Sequence, residues 1–383
     1  MIKSNLRELE LYIHIPFCVQ KCKYCDFLSA PATAQVQNAY MEALLAEIRA
    51  ADAADCIVVS VFIGGGTPTA VDADWIWRLM DTVRECFELA QDAEITMEMN
   101  PGTVTAESLA IYRQAGINRL SIGCQSARDE ELRAIGRIHN FAQFLDTYEK
   151  VRAAGFANVN VDLMSALPGQ TLRDWEETLQ KILSLNPQPE HISAYSLIVE
   201  EGTPFYEMYE RGELDLPDED TDREMYRKTA EILREHGYER YEISNYAKAD
   251  FACRHNCGYW TRRDYLGFGI GAASLYNNTR FHNTTSLQAY LDNSLNCRED
   301  VETLNTREQM EETMFLGLRM LKGVDTQKFQ ENFAVTVDEI YGTQIQESIS
   351  EGLMMRNESN VFLTKKGLDL SNYVMAKFLQ DNG

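Results

Sequence analysis

The chain has no uninterrupted apolar run of about 18 residues, so it offers no segment of the length that a membrane-spanning helix needs. Its start lacks the apolar h-region of a secretory signal and the Arg-rich, acid-poor character of a transit peptide, which predicts a cytoplasmic protein without a transmembrane segment. Positive charge is scarce. Against 59 Asp and Glu stand only 36 Lys and Arg, a formal net charge of −23, which argues against nucleic acid or anionic lipid as partners. An even set of cysteines is missing too: there are nine, and an odd number in a chain of this size suits reduced thiols and metal ligation better than a disulfide framework. What the chain does have is 383 residues and 45% hydrophobic content, enough for one large domain and a smaller one, each with its own core.

Apolar, β-branched-rich runs predict strands at 11–15, 57–63, 94–99, 119–123, 158–164 and 191–197. Amphipathic helical patterns separate them at 39–50, 74–89, 106–115, 142–154 and 172–185, with Gly116 and Gly155 as helix stops. Alternation at this spacing implies parallel strands with right-handed crossovers. Six repeats suit an α/β fold of the open (β/α)6 partial-barrel kind; periodicity alone leaves a doubly wound sheet open. Residues 200–219 turn acidic and rich in turns, and a polar helix follows through Glu235. Beyond residue 300, Met310, Met314, Phe315, Leu318 and Leu321 form one helical face, followed by a helix near 337–350, a hairpin around 357–360 and a final helix from Thr364. Helices plus a small wing predict a mainly helical, winged-helix-like domain. The expected division is 1–240 as barrel, 241–300 as a segment covering it, and 301–383 as the C-terminal domain.

The chemistry concentrates in one short loop, where Cys18, Cys22 and Cys25 are spaced C-x3-C-x2-C behind the run Tyr12 to Phe17. Three thiolates can hold three irons of a [4Fe-4S] cluster and leave the fourth iron open to chelate a small molecule. Zinc would want a fourth Cys or His at finger-like spacing. His14 is near, but its apolar, strand-like setting makes it part of a wall. The whole run, HIPFC followed by KC and YCDF, resembles the radical S-adenosylmethionine (SAM) superfamily, in the branch of oxygen-independent coproporphyrinogen III oxidase and its relatives.

The resemblance implies the partial barrel, a cluster on Cys18, Cys22 and Cys25, and SAM bound to the open iron, where an electron cleaves the sulfonium to a 5′-deoxyadenosyl radical. It assigns the GGGTP stretch (Gly65, Gly66, Thr67) to the methionyl end of SAM, and implies SAM contacts for Tyr12, Tyr24, Glu98, Gln125, Arg137, Asp162 and Ser196. The residues themselves agree with it. Glu98 and Asp162 lie within apolar strand segments, where an unpaired carboxylate is costly, and two acids, an amide and an arginine match the hydroxyls, ammonium and carboxylate of SAM. The glycines would let backbone approach a ligand, although Thr67 and Pro68 also read as an ordinary strand-to-helix turn.

The segment SNYA and the residues His255, Asn256, Tyr259 and Trp260 (HNxxYW) look like the haem-chaperone members of this branch, in which that motif is associated with haem. Imidazole is a standard axial haem ligand and both aromatics suit a macrocycle. Cys253 and Cys257 beside His255 supply only three zinc ligands, and Gly267 to Ala272 imitates a dinucleotide motif without its strand–turn–helix context. Two readings compete: a haem chaperone that hands haem to acceptor proteins such as respiratory ones, and the oxidase of porphyrin biosynthesis, which decarboxylates propionate side chains. Whether a substrate is turned over stays open, and no catalytic residue is assigned. In the oxidase a cysteine follows the third ligand after one residue, where this chain has Phe27, and a long extension precedes the first strand, where only eleven residues precede Tyr12. Both departures favour the chaperone, with cluster, SAM, haem and an electron donor as its partners.

Overall fold

The computed structural model describes residues 6–379. Residues 1–5 and 380–383, the outer ends of the expected first and last domains, lie outside the described residues. Six strands, β1 (Arg7–Ile15), β2 (Cys56–Gly65), β3 (Glu88–Met99), β4 (Arg119–Gln125), β5 (Asn158–Ser165) and β6 (His191–Ser196), lie side by side in chain order, all parallel. A doubly wound sheet reverses direction at a switch point. No reversal occurs between β1 and β6, so the crossovers wind one way around a partial barrel.

The crossover helices are α1 (Ala34–Arg49), α2 (Ala73–Cys86), α3 (Ala106–Gln114), α4 (Asp129–Ala134), α5 (Phe141–Ala153) and α6 (Leu172–Leu183). Capping boxes at Thr105/Ser108, Asn140/Gln143 and Thr171/Asp174 start three of them by satisfying otherwise orphaned amides. Gly116 and Gly155 follow two of the ends with φ of +90° and +85°, the left-handed stop that glycine tolerates. α2 ends earlier than its periodicity suggests, because β3 begins at Glu88 and pairs with β2 from there. Apolar faces such as Trp175, Leu179 and Ile182 of α6 close on the strands in one continuous core.

After α7 (Pro204–Glu210) and the polar α8 (Glu219–Glu235), the region expected to cover the barrel also builds strands. It extends the sheet at both edges. β8 (Asn245–Ala247) adds antiparallel to β6 and β7 (Glu239–Arg240) antiparallel to β8; β9 (Tyr265–Phe268) adds parallel to β1; β10 (Ala273–Tyr276), β11 (Thr279–Asn283) and β12 (Arg298–Thr303) continue outward, giving 12 strands. Helix α9 (Arg254–Trp260) lies between these edges and seals the barrel floor, its first amides resting on the Glu94 carboxylate (Arg254 N at 3.0 Å, His255 N at 3.3 Å). The glycine-rich stretch is a strand and turn: Gly267 belongs to β9, where a Cβ would collide with the Ala273 carbonyl oxygen.

After α10 (Leu287–Asp292), the chain builds a second core from α11 (Thr306–Gly317), β13 (Val324–Asp325), α12 (Thr326–Phe333), α13 (Val337–Ser350), β14 (Met354–Arg356) and β15 (Asn360–Leu363). Helix–strand–helix–helix and a two-stranded wing, with sheet order β13-β15-β14, form the winged-helix-like arrangement. The expected final helix is broken at Leu370 into α14 (Lys365–Asp369) and α15 (Ser371–Ala376).

Candidate functional site

A cavity of about 360 Å³ opens at the carboxyl ends of the parallel strands, and Cys18, Cys22 and Cys25 all line it. Their loop is tied down on several sides. The Cys18 amide donates to Ala30 O (3.2 Å), Lys23 N to Ile135 O (3.1 Å) and Cys25 N to Cys22 O (3.3 Å). Thr67 Oγ1 reaches Cys18 Sγ at 3.5 Å and Arg137 Nη1 reaches Cys22 Sγ at 3.6 Å, so the turn after β2 and the loop after α4 orient two of the thiols. Among the described residues, no three His, Cys, Asp or Glu side chains converge tightly enough to hold a single metal ion. The ligands of a zinc ion meet at one point, whereas those of a cluster bind separate irons. His14 is wall, as expected: Nδ1 meets the Tyr12 hydroxyl at 3.0 Å and Nε2 the Leu28 carbonyl at 2.9 Å.

The glycines of GGGTP make a close contact within the chain. A Cβ on Gly65, whose φ is +112°, would fall 2.5 Å from the His14 ring, and one on Gly66 would fall 2.6 Å from Phe17 O. Their absent side chains let the end of β2 close against the segment that carries the cysteines. Both glycines still line the cavity, whereas Thr67 is buried in an adjoining crevice. Thr67 does not cap the turn at Pro68 with its side chain; it accepts from Asn100 Nδ2 at 2.7 Å and faces Cys18.

Tyr24, Glu98, Gln125, Arg137 and Asp162 meet in the cavity. Burial, reinforced by the Asp162 carboxylate, pushes the Glu98 carboxyl up to about 7, while the Gly65 amide donates to it at 3.1 Å. Burial also raises Asp162, opposed by hydrogen bonds from Ser121 Oγ (3.0 Å) and Asn160 Nδ2 (2.7 Å). Gln125 holds φ of +68° and accepts from the Tyr195 hydroxyl at 3.0 Å. Arg137 donates to Asn100 Oδ1 at 2.6 Å and to the Gly123 carbonyl.

Besides Thr67, three predicted residues do not join them. Tyr12 lines a neighbouring cleft, with the Phe62 ring between it and this cavity. Ser196 donates to Asp222 of α8 at 2.5 Å and lies outside the lining. His255 is 1% exposed: Nδ1 meets Ser60 Oγ at 2.9 Å, Nε2 meets the Tyr259 hydroxyl at 2.9 Å, and the ring stacks on Phe62. Burial, with Arg119 and Arg263 nearby, holds its pKa down at about 3. With both ring nitrogens occupied beneath the barrel, the role of axial haem ligand does not fit this geometry.

Sequence reasoning missed Arg119, Asn160 and Ser193 and read Asn245 and Asn256 only as parts of the haem-associated segments; all five line the cavity. Arg119 carried the same signal as Glu98 and Asp162, a charge within an apolar strand. Only the tertiary fold brings the two asparagines, from β8 and α9, under the cavity. The donor set fits the groups that the resemblance implies. The Nε–H groups of Arg119 and Arg137 and Oδ1 of Asn245 are buried without a partner, and the first two suit a ligand carboxylate while the third suits an ammonium or hydroxyl.

Comparison with known proteins agrees with this geometry. Residues 12–182 match the radical SAM superfamily and residues 304–370 the HemN C-terminal domain. The heme chaperone HemW of Bacillus subtilis is 38% identical over 374 residues, covering 96% of this chain and 98% of that relative. HemW of Escherichia coli is 41% identical over 271 residues, 70% of each chain. A mouse protein named for its radical SAM domain, described as mitochondrial, is 31% identical over 96% of this chain and 87% of its own. The solved structure of coproporphyrinogen III oxidase (HemN) from Escherichia coli shares the fold, with a TM-score of 0.84 at 24% identity over 98% of this chain and 91% of that one.

Proposed function

Because the chain belongs to the radical SAM superfamily and, within it, to the family of the heme chaperone HemW, we propose that it is a haem chaperone that binds a [4Fe-4S] cluster, SAM and haem and passes haem to acceptor proteins in the cytoplasm. The observation that carries the cofactor half is the shared cavity, in which three thiols stand beside two acids and two arginines with unused Nε–H groups. Cys18, Cys22 and Cys25 hold the cluster; Arg119 and Arg137 receive the SAM carboxylate; Glu98, Asp162 and Asn245 take its ammonium and hydroxyls. When bound, the cluster supplies the electron that SAM chemistry requires. The protein's own part is to hold these groups and to keep water from them.

The haem half is supported by near full-length likeness to HemW and by Phe27 at the position where the oxidase has a cysteine. The HemN fold does not weigh against it, since fold alone does not decide reaction. The test is to give anaerobically reconstituted, reduced protein either haem or coproporphyrinogen III. Stable haem uptake followed by transfer to an apoprotein is the expected result; decarboxylation of coproporphyrinogen III overturns the reading in favour of the oxidase.

A further inference from the structure

With His255 enclosed, a haem-handling protein needs another surface for the macrocycle, and the structure contains one. A cleft of about 570 Å³ lies beside the barrel, between the β1–β9–β10–β11 side of the sheet and α11 of the C-terminal domain. Its walls are aromatic and aliphatic: Tyr12, Tyr259, Trp260 and Tyr265 on one side, Phe315 and Leu316 on the other. One aromatic layer separates it from the SAM cavity, because Tyr12 stacks on Phe62 with ring centroids 6.4 Å apart and Phe62 lines that cavity.

The cleft's edge carries a local excess of cations although the chain as a whole is acidic. Arg280 lines it, and with Arg262 shares the single carboxylate of Glu312, so this cluster keeps a net positive charge. Trp260 also borders a second opening of about 560 Å³, lined by Arg7, Arg263, Lys322 and Lys328 and by the acids Glu8, Asp264 and Asp325; Arg7 pairs with Asp264 and Arg263 with Glu8, so its uncompensated cations are the two lysines. Lys322 and Lys328 are exposed and have no ion pair among the described residues. In a chain with net charge −23, cations gathered beside aromatic faces suit a planar apolar body with anionic arms.

We propose that this interdomain cleft is where the protein holds a tetrapyrrole, its macrocycle against Tyr259, Tyr265 and Phe315 and its carboxylates toward Arg280 and the lysines. The inference rests on the haem-chaperone reading and adds to it a place and a mode of recognition. Recognition is by ring faces and charge, not by an imidazole on the iron. The C-terminal domain thereby takes part in binding, since α11 forms the second wall.

The test is a titration of the full-length, cluster-loaded protein with hemin and with metal-free protoporphyrin IX, followed by absorbance and fluorescence. Ala273, exposed on the cleft lining, is replaced in Ala273→Glu; Phe315→Ala removes a ring from the opposite wall. Both variants are expected to weaken hemin binding at least ten-fold with an unchanged cluster spectrum and an unchanged response to SAM, and protoporphyrin IX is expected to bind within ten-fold of hemin. If Phe315→Ala disturbs folding, Ala273→Glu decides. Wild-type hemin affinity in Ala273→Glu, or an absolute requirement for iron, overturns the cleft while leaving a haem chaperone in place. Failure of the wild-type protein to bind hemin at all overturns the haem reading itself, and the cleft with it.

Discussion

Replacing His255 by alanine separates a structural imidazole from a ligand. The variant removes hydrogen bonds to Ser60 Oγ and the Tyr259 hydroxyl and the stack on Phe62, from a residue with almost no exposure. Two such bonds contribute about 1 kcal/mol each, and the hydroxyls left behind and the ring-sized cavity add to that, for a total of about 3–5 kcal/mol. The cost appears in urea unfolding of haem-free, cluster-free protein, where an exposed ligand histidine would cost less than about 0.5 kcal/mol. Acidity supplies a second signature. In the native state the ring takes up a proton only near pH 3, against 6.5 when unfolded, so between those values the unfolded chain binds more protons. Wild-type stability from this residue is therefore full above 6.5 and falls by about 1.4 kcal/mol per pH unit below it. Alanine has no such slope, so the gap between the two proteins narrows by about 1 kcal/mol from pH 6.5 to 5.5, the unfolded ring being only half protonated at the upper limit. A variant within about 0.5 kcal/mol of wild type, or a gap independent of pH, refutes the buried neutral imidazole. It follows that weak haem binding in His255→Ala, taken without a stability measurement, says nothing about ligation.

Alanine at Cys18, Cys22 or Cys25 is expected to abolish the [4Fe-4S] signal of reconstituted protein, and an intact four-iron cluster in any of them contradicts the assignment. Gly66→Ala drives a Cβ to 2.6 Å from Phe17 O; a loss of about 1–3 kcal/mol and impaired cluster retention should follow, read by thermal unfolding and iron content. Gly258→Ala would press directly on the buried Glu10 carboxylate, disturbing its pairing with Arg263, and a loss above about 3 kcal/mol is expected. An undiminished melting temperature would show that α9 is not the floor of the barrel. Glu98 holds its proton up to about pH 7 when folded and only to about 4.5 when unfolded, so in that window the native state binds more protons and stability declines as pH rises. Glu98→Gln removes the decline, and cofactor-free variant and wild type should diverge by roughly 3 kcal/mol, in the variant's favour, between about pH 4.5 and 8. Parallel stability curves would count against a buried, protonated Glu98.

Much of this molecule is legible along the chain because its signals are local. The spacing of Cys18, Cys22 and Cys25 is held within one loop, and each barrel strand shows its apolar run whatever it pairs with. A carboxylate in such a run, as at Glu98 and Asp162, declares an internal polar site before any neighbour is known. Arg119 obeys the same rule but is easily passed over because it opens its strand. The segment 241–300 is different: β8 and β9 are 3 and 4 residues long, and nothing in so short a run says that one joins β6 and the other β1.

The sequence by itself determined the three-cysteine loop, the six-fold strand–helix repeat, the buried acids of the cavity and the separate C-terminal core. All of these depend on neighbours a few residues away or on the period of a single element. Only the tertiary structure decided what Tyr12, Ser196 and His255 touch, because each faces a partner far off in the chain: Phe62, Asp222 and Ser60. A histidine in a family motif looks the same in sequence whether its ring is open to a ligand or closed beneath a barrel. The packing of α9 against β2 and β3 closed it, and the same packing left Tyr259 and Trp260 on the wall of a cleft that α11 completes.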